Sequence, residues 1–220
     1  MYELIQADCI DVLTHMPDKA VDCIVTDMPY GVGVDFGAYR DNVENLRTLI
    51  TVALPEMRRV AGLTIITPGV RNLFLYPEPT WTLCWCFGGG ARGRWGFNHW
   101  QPILAYGFDP LHRLKMMHTD VIRANNAALE ERTQHPCPKP LPFIRKLINR
   151  VAPSPADVIL DPFMGSGTTG VVAIQLGHKF VGIEQNGDYL AIAKRRIAEA
   201  RPDFQLTLNL KAKDVTNECT

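Results

Sequence analysis

A mostly parallel α/β sheet is the fold class this sequence predicts, and three observations predict it. Short apolar runs of strand character alternate with amphipathic helical stretches along most of the chain. Two of those runs end in an acid and a turn, Asp27-Met28-Pro29-Tyr30 and Asp161-Pro162-Phe163-Met164-Gly165. Open α/β sheets place their ligands at such carboxyl ends of strands. The 220 residues are 46% hydrophobic, enough for one full core, so residues 1–220 are expected to form a single domain.

In chain order, Tyr2 to Ala7 alternates like a short strand, and a helix from about Cys9 to His15 is closed by Met16-Pro17-Asp18. Val21 to Thr26 is a second, buried strand that ends in the tetrapeptide, and Gly31, Gly33 and Gly37 predict a mobile loop behind it. Asn42 caps a helix to about Val60, with Leu46, Leu49, Ile50, Ala53, Leu54 and Met57 on its inner face. Leu63 to Thr67, Trp81 to Phe87 and Pro102 to Tyr106 read as strands. Residues 108–135 lack periodicity and are expected to be irregular or short helical structure. Pro138 to Pro142 leads rigidly into a helix through Phe143 to Ile148, and Val151 to Pro155 is the one linker-like spot. Asp157 to Gly170 reads as strand, loop and helix, followed by a strand at Lys179 to Ile183. A last helix spans Asp188 to Ala200, with Lys194, Arg195 and Arg196 near its end, as the helix dipole favours.

Composition narrows the function. No apolar run approaches a membrane span and the first residues lack a basic signal-peptide start, so a cytoplasmic protein without a membrane partner is expected. Cys9, Cys23, Cys84, Cys86, Cys137 and Cys219 form no C-x-x-C pair, so no metal is expected. Net charge is zero but locally divided. Residues 1–60 hold ten acids against five Lys/Arg, and residues 92–150 hold ten Lys/Arg against four acids. That basic segment carries Trp95, Phe97, His99 and Trp100, a mixture suited to phosphate contact with base stacking; a solvated basic face with aromatics in the core is the plainer alternative.

Gly165, Gly167 and Gly170 fit G-x-G-x-x-G, and Glu184 ends the next strand, as in a dinucleotide fingerprint. Asp161, however, would repel a pyrophosphate at the following helix N-terminus. A nucleoside with a cationic amino-acid arm reverses the sign: Asp161 meets the ammonium, and Glu184 accepts from both ribose hydroxyls. S-adenosylmethionine is such a ligand. A phosphate loop of the G-x-x-x-x-G-K type is excluded, because no lysine follows the glycines.

Asp27-Met28-Pro29-Tyr30 suits methyl transfer to an exocyclic amine. The amine lone pair must leave conjugation, which acceptors for both N–H bonds achieve. Asp27 supplies a carboxylate for one and the Met28 carbonyl takes the other. Pro29 fixes the backbone, and Tyr30 offers a face on which a flipped base stacks. The same four residues also read as an ordinary strand-ending turn.

Together with His135-Pro136-Cys137-Pro138-Lys139-Pro140, these two motifs resemble the amino-methyltransferases of DNA, in the β-class order with the tetrapeptide first and the cofactor loop late. The resemblance runs from about residue 2 to 200. It implies a Rossmann-like, seven-stranded methyltransferase sheet, mostly parallel with one reversed strand and helices on both faces. It further implies S-adenosylmethionine as donor and adenine N6 or cytosine N4 in double-stranded DNA as acceptor. Carried over by residue, Asp161, Phe163, Gly165, Ser166, Gly167 and Thr168 surround the methionine arm and Glu184 the ribose. Asp8 and Cys9 match the adenine-contact position, and Lys139 and Pro140 the segment over the methionine end. Residues 98–106 resemble the hairpin forming the other wall of the base pocket, with His99 as a general base or, more simply, a packing or phosphate-contacting residue.

Two departures stand out. Met28 replaces the first proline of the usual tetrapeptide, which keeps the carbonyl but loses rigidity; Met28→Pro is therefore expected to hold or raise activity. The target-recognition insert is reduced to about residues 108–135. Asp27 at the first tetrapeptide position favours adenine N6 by family pattern, with cytosine N4 as the alternative. An inactive DNA-binding homologue is the reading from another class, and an RNA substrate a third. The small insert predicts a homodimer that brings a second set of Arg92, Arg94, Arg113, Lys115 and Arg123 to the phosphates, with Leu73, Phe74, Leu75 and Tyr76 either as contact surface or as core.

Overall fold

The computed structural model describes residues 1–36, 39–88, 92–93, 95–112, 119–125 and 139–202, with only the backbone given at 35, 36, 92 and 93. Its main sheet is built from β1 (Tyr2–Ile5), β2 (Val21–Thr26), β5 (Ala61–Ile66), β6 (Trp81–Cys86), β9 (Trp100–Gly107), β10 (Val121–Arg123), β11 (Val158–Asp161) and β12 (Lys179–Ile183). Two hairpins lie outside it: β3 (Val32–Phe36) with β4 (Tyr39–Asn42), and β7 (Arg92–Gly93) with β8 (Gly96–Phe97). The helices are α1 (Cys9–His15), α2 (Val43–Val60), α3 (Leu141–Val151), α4 (Thr168–Gln175) and α5 (Gly187–Glu199), with a 3-10 turn at Val70–Leu75.

Strand order is β1-β12-β11-β2-β5-β9-β6-β10. Only β9 runs against its neighbours, pairing antiparallel with both β5 and β6. The expected mostly parallel sheet with one reversed strand is therefore present, but with eight strands rather than seven. The additional strand is β10, which pairs in parallel with β6 at the edge, Ile122 opposite Trp85. Three residues are too few to leave a periodic signal, which is why this stretch reads as irregular in the sequence.

Alternation along the central strands divides the core into two layers. Cys23, Val25, Leu63, Ile65 and Ile159 face α3, α4 and α5, while Ile24, Ile66, Leu104 and Leu160 face α1 and α2. Helices thus cover both faces. The caps read from sequence act locally as expected: Asp8 Oδ1 accepts from Ile10 N at 2.8 Å and Asn42 Oδ1 from Asn45 N at 2.8 Å. Trp85 stacks on Phe143 with ring centroids 4.0 Å apart, fixing α3 against β6.

Behind the tetrapeptide, where the glycines predict a mobile loop, the described residues form the β3–β4 pair. Its cause is Asp41, a buried carboxylate that accepts from four successive backbone N–H groups, those of Gly31, Val32, Gly33 and Val34, at 2.6–3.1 Å. Such a concentration of donors around one anion holds a glycine-rich turn in a single shape.

Candidate functional site

From the adjacent strands β11 and β2 the chain departs in opposite directions, through α4 to β12 and through α2 to β5. A cavity opens at their carboxyl ends, where such a reversal places ligands. Five carboxylates line it, Asp8, Asp27, Asp41, Asp161 and Glu184, and among the described residues Lys139 is the one lysine or arginine in its wall. The cavity is therefore suited to a ligand with cationic character.

On the β11 side, Asp161 is 3% exposed. Burial pushes its carboxyl up to about 6; hydrogen bonds from Thr26, Thr169 and the Phe163 N–H oppose that shift, and the charge of Asp27 adds to it. The chain then turns through Gly165 and Gly167 at φ 52° and 79°, the left-handed region that glycine enters without steric cost. Glu184 spans this turn, accepting from Gly165 N at 2.9 Å and Asn186 N at 2.8 Å, and burial raises its carboxyl as well. From α5, Arg196 donates to Ser166 O at 2.6 Å and reaches the hydroxyls of Ser166 and Thr168. Gly170 is set by packing instead: a Cβ there would meet Ile197 and Phe180 atoms at 2.5 Å.

On the β2 side, Asp27 accepts from three donors: the hydroxyls of Tyr30 and Thr67 at Oδ1, and the Lys139 ammonium at Oδ2. Lys139 Nζ also donates to Tyr30 Oη at 2.7 Å. Asn72 Nδ2 donates to the Tyr30 carbonyl at 2.8 Å, so the tetrapeptide backbone is held from the turn after β5. The Met28 side chain is part of the core, 1% exposed, and Tyr76 Oη donates to its sulfur at 3.7 Å.

The structure brings together in one cavity wall Asp8, Cys9, Asp27, Met28, Pro29, Tyr30, Lys139, Asp161, Phe163, Gly165, Ser166, Thr168 and Glu184. Gly167 and Pro140 are placed behind it, as the caps of α4 and α3. Cys9 is no reactive thiol, because burial, with Asp8 adding, pushes it up to about 12. Lys139, expected over the cofactor's methionine end, has its ammonium on Asp27 and Tyr30. Trp95, His99 and Trp100 do not line the cavity; all three are exposed, flanking β8 or at the start of β9, Trp95 completely so. The side chain of Arg92, and Arg94, Arg113, Lys115, His135 and Cys137, lie outside the described residues, as does Cys219. Of the apolar group Leu73 to Tyr76, Tyr76 is core and Phe74 is 93% exposed.

Sequence reasoning missed Thr26, Thr67, Asp41 and Tyr39. The Tyr39 hydroxyl lies buried with no hydrogen-bond partner, and Tyr39 lines the cavity. A buried orphan donor beside five acids fits a polar, positively charged ligand that accepts hydrogen bonds elsewhere on its surface. Among the described residues there is no cluster of metal-ligating side chains and no helix long and apolar enough to cross a membrane.

A Rossmann-like sheet with one reversed strand, a glycine turn after one central strand and an acid-led tetrapeptide after its neighbour define an α/β protein of the methyltransferase type. Its fold is similar to that in the crystal structure of the M1.HpyAVI–SAM complex, at 22% identity and a TM-score of 0.67, over 90% of this chain and 99% of that one. Type II methyltransferase M2.MboI of Moraxella bovis is 24% identical over 244 residues, covering 91% of this chain and 89% of that protein. DNA adenine methyltransferase YhdJ of Escherichia coli (strain K12) is 44% identical over 69 residues, 31% of this chain and 23% of YhdJ. Residues 80–195, more than half of the chain, match the DNA methylase family, and the protein belongs to that family of N6-adenine and N4-cytosine DNA methyltransferases.

Proposed function

We propose that the protein is an S-adenosylmethionine-dependent DNA methyltransferase that acts on the exocyclic amine of a flipped base, adenine N6. The observation that carries the reading is the pair Asp27 and Asp161 at the ends of adjacent strands, facing one acid-lined cavity. When bound, S-adenosylmethionine supplies a methyl group on a sulfonium, and an acidic cavity favours that positive charge and the one on the ammonium of its amino-acid arm. Asp161 and the Gly165 to Thr168 turn receive the amino-acid arm, with Phe163 beside it, and Glu184 receives the ribose. Asp8 and Cys9 flank the adenine. Asp27 Oδ2 and the Met28 carbonyl accept the two N–H bonds of the target amine and turn its lone pair out of the ring plane. Asp27 also stands in place to take the proton that the amine sheds. Pro29 holds the turn, and the Tyr30 hydroxyl, already bonded to Asp27, restricts the carboxylate.

Adenine is supported by the aspartate at the head of the tetrapeptide and by YhdJ, named as an adenine enzyme. Cytosine N4 is the second reading, because the family covers both acceptors. We further propose that residues 1–220 act as one catalytic domain with a minimal recognition segment near 108–135. The exposed Trp95, His99 and Trp100, which lie in the basic stretch of the sequence, would meet double-stranded DNA. A homodimer extends that footprint, and light scattering during chromatography with and without DNA tests it.

The experiment for the function is methyl transfer from labelled S-adenosylmethionine to genomic DNA, with nucleoside mass spectrometry to name the base. N6-methyladenine is the expected product, and Asp27→Ala is expected to lose at least about a hundredfold in turnover while cofactor affinity stays within a few fold. Transfer by Asp27→Ala at a near-native rate would remove the reading.

A further inference from the structure

Lys139 is the cavity's only lining lysine or arginine among the described residues, yet its ammonium is not directed to the acids of the glycine turn. Its ammonium meets the tetrapeptide instead, at Asp27 Oδ2 and Tyr30 Oη, 5.0 Å from the centroid of the Tyr30 ring. Its side chain is 11% exposed and that of Asp27 28%, so the pair is partly shielded from water.

A carboxylate has about four acceptor positions, two on each oxygen. On Asp27, Oδ1 is filled by Thr67 and Tyr30, and Oδ2 carries Lys139, which leaves one position on Oδ2. With the two hydroxyls alone, both on one oxygen, the carboxylate can still swing about its terminal torsion; the ammonium on the other oxygen removes that freedom. Lys139 is itself well fixed. It precedes Pro140, which restricts its backbone to extended conformations, and Pro140 caps α3 with Pro142 in the first turn. Helix α3 is in turn held to the sheet by the Phe143 stack on Trp85.

We propose that Lys139 is a positioning residue of the methyl-acceptor site, holding Oδ2 of Asp27 so that its one unclaimed acceptor position serves the target amine. The inference rests on the amine-methylation reading and gives Lys139 a different task from clamping the cofactor.

The test is Lys139→Met, with Lys139→Arg as the variant that keeps the charge and a donor. At saturating cofactor, Lys139→Met lowers kcat by about ten- to a hundredfold, the scale of a misplaced catalytic group. Calorimetric affinity for the demethylated product, S-adenosylhomocysteine, stays within about threefold. Lys139→Arg restores most of the rate, and adding Lys139→Met to Asp27→Ala costs no further rate. A tenfold or greater loss of S-adenosylhomocysteine affinity with kcat unchanged would assign Lys139 to the cofactor and overturn the proposal, as would additive losses in the double variant. Should the wild-type protein methylate no DNA, the functional reading fails, and the melting temperature still decides the contact. Lys139→Met lowers it more in the native background than in Asp27→Ala, where the ammonium has lost its carboxylate and keeps only Tyr30; equal shifts in both backgrounds refute it.

Discussion

The Thr26 hydroxyl donates to Oδ1 of Asp161 over 2.7 Å, joining the last residue of the tetrapeptide strand to the last residue of the glycine-turn strand. The two halves of the site are thus coupled by one buried side-chain bond, and Asp161 sits among donors while remaining cut off from water.

This burial makes stability depend on pH. Because Asp161 binds its proton more tightly in the folded chain, near pH 6, than in the unfolded chain, its contribution is complete below pH 4 and lost as pH rises through 6. The loss is about 3 kcal/mol for a shift of this size. Comparing melting temperatures of wild type and Asp161→Asn from pH 4 to 7 checks it: the difference between them narrows or reverses as pH rises. A cationic ligand opposes the loss, so cofactor affinity is expected to increase across the same interval in the wild type only.

Asp41 is expected to set the order of the wall behind the tetrapeptide. Replacing it with alanine strips the common acceptor from four N–H groups, and a charged hydrogen bond is worth about 1.5–3 kcal/mol. Hydrogen exchange of the Gly31 to Val34 amides is expected to speed by about tenfold or more, with the central strands unaffected.

Met28 is part of the core as well as of the tetrapeptide. Met28→Ala is expected to cost about 2–5 kcal/mol, measured by denaturant unfolding. The same burial alters the expectation for Met28→Pro. Whatever rigidity the ring adds, the packing against Tyr76 is lost, so a lower melting temperature accompanies any change in rate.

Gly170→Ala would force a methyl group against Ile197 and Phe180 where α4 meets α5 and β12. Overpacking of this kind costs about 1–3 kcal/mol, and thermal unfolding reads it. Because Gly170 follows the turn by one helical step, cofactor affinity is expected to fall together with stability.

What could be read from the sequence is what depends on near neighbours. The boundaries of α1, α2 and β2 follow from periodicity and from caps at Asp8 and Asn42, each acting over two or three residues. Asp161 and Glu184 were legible because strand, turn and helix occur in one continuous stretch. The contacts that shape the site are of another kind. Lys139 lies 112 residues from Asp27, Thr26 lies 135 from Asp161, and Thr67 lies 40 from Asp27. No periodicity encodes such distances; they exist because parallel strands β11, β2 and β5 lie side by side with their carboxyl ends in register. For the same reason, the aromatic and basic residues at 92–100 were recognisable as a composition but not as a location. The order of strands, decided only when the sheet assembles, places Asp27, Asp161 and Lys139 around one cavity and leaves Trp95, His99 and Trp100 outside it.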